Sequence, residues 1–281
     1  MNIPLQSATT WKAVVTVLQL LAIAITALRL FLRHRRQTLW VDDITVALAL
    51  VMELVGMIVM WFVYVQDDNS TVKGRVALYW FASIAWITTL WLTRITMILS
   101  ITRIFPDWGT IRRNCRGIAI SFGIFYIGFI CWLCTSACVP SSSDAMTSRT
   151  DILDCSNERH FLVIASFSAD IFSCCVLVLY PMFILFVLPL SRGQYKLVMG
   201  LLIAFTLVLL SSIVFGVFSY SPNIDGPGQP FVTGMLSQLE AVLSLLSCNV
   251  VAFTSYLFRN GSGADATDDR IEWKKPASPT R

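Results

Sequence analysis

Seven long apolar stretches, separated by short polar loops, take up most of this 281-residue chain. They lie at roughly residues 11 to 33, 43 to 65, 76 to 104, 117 to 139, 161 to 190, 197 to 220 and 231 to 258, and each reaches the roughly 20 residues that a helix needs to cross the hydrocarbon core. A segment in lipid must satisfy its own backbone hydrogen bonds, so helix is the expected conformation. The expected fold is therefore all-α: a seven-transmembrane helix bundle. Composition agrees, with 56% hydrophobic and 14% charged residues and a mean hydropathy of +0.70, far from a soluble domain.

The net charge of +4 matters less than where the basic residues fall. One set of loops holds Arg33, Arg35, Arg36, Arg112, Arg113, Arg116, Arg192 and Lys196, and the tail adds Arg259, Arg270, Lys274, Lys275 and Arg281. The other set holds Lys12, Lys73, Arg75, Arg149 and Arg159. By the positive-inside rule the N-terminus is expected outside and the C-terminus in the cytosol. The partner this composition implies is the lipid bilayer, with no nucleic acid; a small-molecule or lipid ligand and a cytosolic signalling protein are further candidates that depend on a sensing role. The expected organisation is a short external N-terminus over 1–10, the helical domain over 11–258 and a disordered cytosolic tail over 259–281. The first span is expected to stay in the membrane, because its basic cluster follows the apolar run instead of preceding it.

Asn69-Ser70-Thr71 is a glycosylation sequon in a loop expected outside. Cys131, Cys134, Cys174, Cys175 and Cys248 lie within spans and read as small buried apolar side chains. Cys131 and Cys134 form a CxxC, but no second ligand pair accompanies it, so no metal or redox site is expected. Cys138 and Cys155 flank the longest loop expected outside. A disulfide between them would remove on the order of 3 kcal/mol of unfolded-chain entropy and hold a lid over the bundle.

Candidate chemistry rests on the ionisable residues that the spans carry at roughly 2.5 to 3.5 kcal/mol each. Glu53, Arg94, Asp170 and Glu240 lie in four different spans at about the same depth. They are expected to converge on one polar chamber, with at least one acid protonated or a cation among them, because one guanidinium cannot neutralise three carboxylates. The alternative is a single buried ion pair of Arg94 with Asp170 or Glu53, the other acids serving as hydrogen-bonding glue between helices. Trp86 and Trp91 are deep enough to line a ligand pocket beside Arg94. Arg29 can reach the headgroups or meet Asp42 and Asp43, and Pro181 should kink the fifth helix.

Several short motifs recur in a telling order: Arg29-Leu-Phe-Leu-Arg33 with Trp40-Val-Asp42-Asp43, Thr93-Arg94, Ser100-Ile-Thr-Arg103-Ile-Phe-Pro106, Cys138-Val-Pro140, Asp170, Pro181, and Leu188-Pro-Leu-Ser-Arg192 to Lys196. In this the chain resembles the fungal rhodopsin-like integral membrane proteins, a seven-helix, receptor-like group with members linked to host sensing and pathogenicity. The resemblance implies a G-protein-coupled-receptor-like bundle with a sensing role. A retinal cofactor is not expected, since Lys12, Lys73, Lys196, Lys274 and Lys275 are the lysines and none lies in the seventh span. The third span ends without an acidic residue before Arg103, and no proline lies between Asn249 and Tyr256, so coupling to a G protein is not implied.

The leading expectation is a plasma-membrane receptor-like protein whose small or lipophilic ligand would contact Glu53, Trp86, Arg94, Asp170 and Glu240. Binding would alter the inner ends around Arg103, Arg112, Arg113, Arg192 and Lys196. Two other classes stay open: a membrane-embedded, terpene-cyclase-like enzyme using a buried carboxylate as general acid, and a small proton-coupled transporter.

Overall fold

The computed structural model describes residues 8–37, 40–63, 72–104, 109–135, 156–187, 192–220 and 229–261. Among them are seven helices and no strand: α1 (Ala8–Arg35), α2 (Val41–Val63), α3 (Val72–Ile104), α4 (Gly109–Thr135), α5 (Ser156–Val187), α6 (Arg192–Tyr220) and α7 (Gln229–Gly261). The shortest, α2, has 23 residues and so runs about 34 Å, longer than the hydrocarbon core of about 30 Å.

Six of the helices, α1 to α6, are long and apolar enough to cross a membrane. The seventh forms where the sequence predicts it. Gln238, Glu240, Ser244, Ser247 and Asn249 are all buried, so the polar face of α7 points into the bundle. This placement keeps those polar side chains away from lipid. The outward residues of the other helices are apolar, as at Val17, Leu20 and Phe31 of α1 and Ile120 and Ile124 of α4. Such faces would aggregate in water but match acyl chains.

The third and seventh helices form the axis of the bundle. Helix α3 packs against α2, α4, α5 and α7, while α7 packs against α6, α1 and α3. Within its apolar window 72% of α3 is buried, against 17% of α4; α4 leans on α3 and makes little contact with α5. Along α3 a stripe of hydroxyls at Thr89, Thr93, Thr96 and Ser100 follows the three-to-four spacing of one helical face, all buried. Thr93 and Ser244 share a hydrogen bond of 2.6 Å between the two axial helices, and Thr96 meets Thr45 of α2 at 2.8 Å. Pro181 lies buried inside α5.

The turn from α1 to α2 is built from its charges. Gln37 takes a left-handed conformation, φ 53°, which ends α1 as C-terminal caps commonly do. Asp43 then accepts from the Trp40 backbone N–H at 3.1 Å, half of a capping box at the start of α2. Asp42 and Asp43 in the first turn of α2 also sit at the positive end of its dipole.

Candidate functional site

Arg94 is 0% exposed and forms an ion pair with Asp170, which joins α3 to α5. Glu240 of α7 is buried beside them, within electrostatic reach of both. Its Oε1 accepts a 2.5 Å hydrogen bond from Ser212 Oγ of α6, and Cys174 of α5 meets the same hydroxyl at 3.8 Å. One guanidinium, two carboxylates and a serine hydroxyl thus tie four helices together. The guanidinium is not saturated: Nε and Nη1 of Arg94, and Oε2 of Glu240, are buried without hydrogen-bond partners. Unmet groups of this kind in a low-dielectric interior are poised to take a new partner or to rearrange.

Glu53 does not join this group, so the expected four-member chamber divides in two. The amide nitrogen of Gln19 on α1 donates to Glu53 Oε1 at 3.2 Å and to Gln238 Oε1 of α7 at 3.0 Å. Equal depth does not imply a shared azimuth, and Glu53 faces the α1–α7 side of α2. Replacing Gln19 by leucine would remove the donor that Glu53 and Gln238 share. The expected cost is about 1–3 kcal/mol, read as a lower unfolding temperature in lipid nanodiscs, with Gln19→Asn milder.

Asp170 also borders a narrow cleft between α3, α4, α5 and α6, whose walls are Trp86, Ile87, Leu90, Trp91, Phe129, Phe167, Ala169 and Phe215. It has room for about one water molecule as it stands. Trp86 stacks on Phe215 with centroids 5.2 Å apart, and Trp91 packs edge-on against Phe122 at 6.0 Å while its ring lies 5.5 Å from the Arg94 guanidinium carbon. Trp91 therefore serves both readings of the sequence, as core and as cleft wall. Asp170 is 14% exposed where Arg94 is wholly enclosed.

Phe167, one wall of the cleft, presents its ring edge to Gly216 of α6, where an added methyl would overlap the ring. Gly216→Ala should displace Phe167 and destabilise the protein by about 1–3 kcal/mol, as overpacking does. Differential scanning fluorimetry in nanodiscs checks this, and a Gly216→Ala/Phe167→Leu pair should recover most of the loss.

At the opposite end of the bundle Arg29 is 2% exposed and bonds Asp42 at 3.1 Å and Asp43 at 3.6 Å. It also donates to the Cys248 carbonyl at 2.9 Å and approaches Asn249 Oδ1 at 3.4 Å, while Asn249 donates to Thr26 at 2.7 Å. Arg33 pairs with both aspartates. The expected loop clamp is thus a lock that also engages α7. Of the residues expected at the inner ends, Arg112 lies 5.9 Å from the Trp40 ring, and Arg113 and Lys196 are exposed. The side chains of Arg103 and Arg192, and the whole of Asn69, Cys138 and Cys155, lie outside the described residues.

Cys174 and Cys248 are buried as the sequence suggests, whereas Cys175 is half-buried and Cys131 is exposed on α4; Cys115, outside that set, is buried as well. Residues that the sequence reading did not single out are Gln19, Ser212, Gln238 and Ser244. Their signal was present as uncharged polar side chains within apolar spans, which are as tightly bound to the interior as charges are.

Comparison with known families finds the fungal rhodopsin domain matching residues 28–259. No curated protein and no solved structure matches the chain.

Proposed function

Because this chain belongs to the fungal rhodopsin domain family, an integral membrane protein with helices suited to spanning the bilayer, we propose that it is receptor-like and senses a small or lipophilic ligand. The observation that carries the reading is that one residue, Asp170, both lines the aromatic cleft and closes the ion pair with Arg94. Filling the cleft would alter the geometry of that pair, and through Glu240 and Ser212 the packing of α6 and α7. The excess of basic residues on one set of loops supports an N-terminus outside and a C-terminus in the cytosol, with the plasma membrane as the site of action. The cleft then lies toward the outer half. Arg112, Arg113 and Lys196, at the inner end, would meet a cytosolic signalling protein.

The distance to be bridged is large. From Phe215 to Lys196 along α6 is about 28 Å, so a signal must move a helix as a body. Spin labels at positions 113 and 196, in full-length protein in nanodiscs, read this directly. Trp86→Leu should shift or broaden the distance distribution between them. An unchanged distribution would leave only a scaffold. Substrate turnover or proton flux in liposomes that Glu240→Gln abolishes would instead support the enzyme or transporter reading.

A further inference from the structure

We infer that the α3–α6 cleft takes a lipophilic organic cation, an alkyl or aryl ammonium, entering from the bilayer between α4 and α5. This rests on the receptor-like reading and specifies the chemistry of the ligand.

Two observations converge on that class. The polar group that the cleft meets is Asp170, and Arg94 is not among its walls. An ionised carboxylate accepts hydrogen bonds and donates none, so the ligand must bring the donor. The remaining wall is dominated by Trp86, Trp91, Phe129, Phe167 and Phe215, whose ring faces attract cations and repel anions. A ligand carboxylate in the cleft would meet Asp170, which repels it, and not the enclosed Arg94 guanidinium.

The route follows from packing. Among the described residues helix α4 rests on α3 but touches α5 little, and its own outward face is apolar at Ile120, Ile124 and Phe125. The seam between α4 and α5 therefore opens onto lipid. An amphiphile dissolved in the bilayer could slide its head through this seam to Asp170 while its tail stays among acyl chains. Trp86 Nε1, buried in the wall without a partner, adds a donor for an ether or hydroxyl oxygen next to the ammonium.

The test uses three photoreactive alkyl chains that differ only in their head group, a dimethylammonium, a carboxylate or a hydroxyl. Each is added to full-length protein in phosphatidylcholine nanodiscs, and the crosslinked peptides are mapped. The ammonium probe should label α3, α5 and α6 saturably and about tenfold more than the hydroxyl probe, in line with one desolvated cation–π contact. Trp86→Leu and Phe215→Leu, which leave the ion pair in place, should erase that preference. Saturable labelling at the same peptides by the carboxylate probe, or by all three equally, would overturn the cation assignment while the ligand-site reading stood. No saturable labelling by any probe would overturn both.

Discussion

Asp170→Asn is expected to cost about 3–5 kcal/mol, the range for removing one partner of a buried ion pair. In practice folded protein should be largely lost from membranes. The reason is the enclosure of Arg94: at 0% exposure its guanidinium has no route to headgroups or water, and the rest of its nitrogens already lack partners. Glu240→Gln should behave quite differently. An amide at position 240 can still accept from Ser212, and the substitution removes a carboxylate that has no cation of its own. Its cost is expected below about 1 kcal/mol, or a gain. Folded yield and unfolding temperature of the two variants, measured side by side in nanodiscs, decide the matter; equal losses would mean that Glu240 shares the guanidinium as fully as Asp170 does.

The second large effect is expected at Arg29→Met. Two arginines balance two aspartates at the start of α2, and removing the deeper one strands a buried negative charge while breaking the bonds to the Cys248 carbonyl and Asn249. About 3 kcal/mol is expected. Arg33→Met should cost less, because Arg33 is 14% exposed and water can replace part of what it supplies. Hydrogen exchange separates the two. Arg29→Met should raise exchange at the C-terminal part of α7 as well as at the α1–α2 turn, and Arg33→Met at the turn alone.

How far the sequence reveals this arrangement depends on the kind of side chain. Ionisable residues in apolar spans are so costly that they announce themselves, and Arg94, Asp170, Glu240 and the Arg29 cluster with Asp42 and Asp43 could all be found that way. Depth along a helix follows from counting residues. Direction around the helix does not, which is why Glu53, placed at the right level, turned out to face Gln19 and Gln238 instead of Arg94. The two glutamines and Ser212 carry no charge and so left a fainter mark, although their burial makes them equally obligate partners.

The polar character of α7 illustrates the same limit. Gln238, Glu240, Ser244, Ser247 and Asn249 could mean a weak span or a central one, and only the packing of α7 on α1, α3 and α6 decides between them. Likewise the aromatic residues of α3 and α4 were conspicuous in number, but which of them build the cleft depends on rings from other helices. Phe167 and Phe215 come from α5 and α6, and no periodicity within α3 could have indicated them.

The account stands on Arg94 and Asp170 being partners within the bilayer core, and a double-mutant cycle in nanodiscs tests that most directly. With Arg94→Met, Asp170→Leu and the combined variant, each single change should be severe and the pair together no worse than either alone, giving a coupling of about 3–5 kcal/mol. Additive losses, with a coupling under about 0.5 kcal/mol, would show that the two charges do not meet and would remove the link between the cleft and the helices around it.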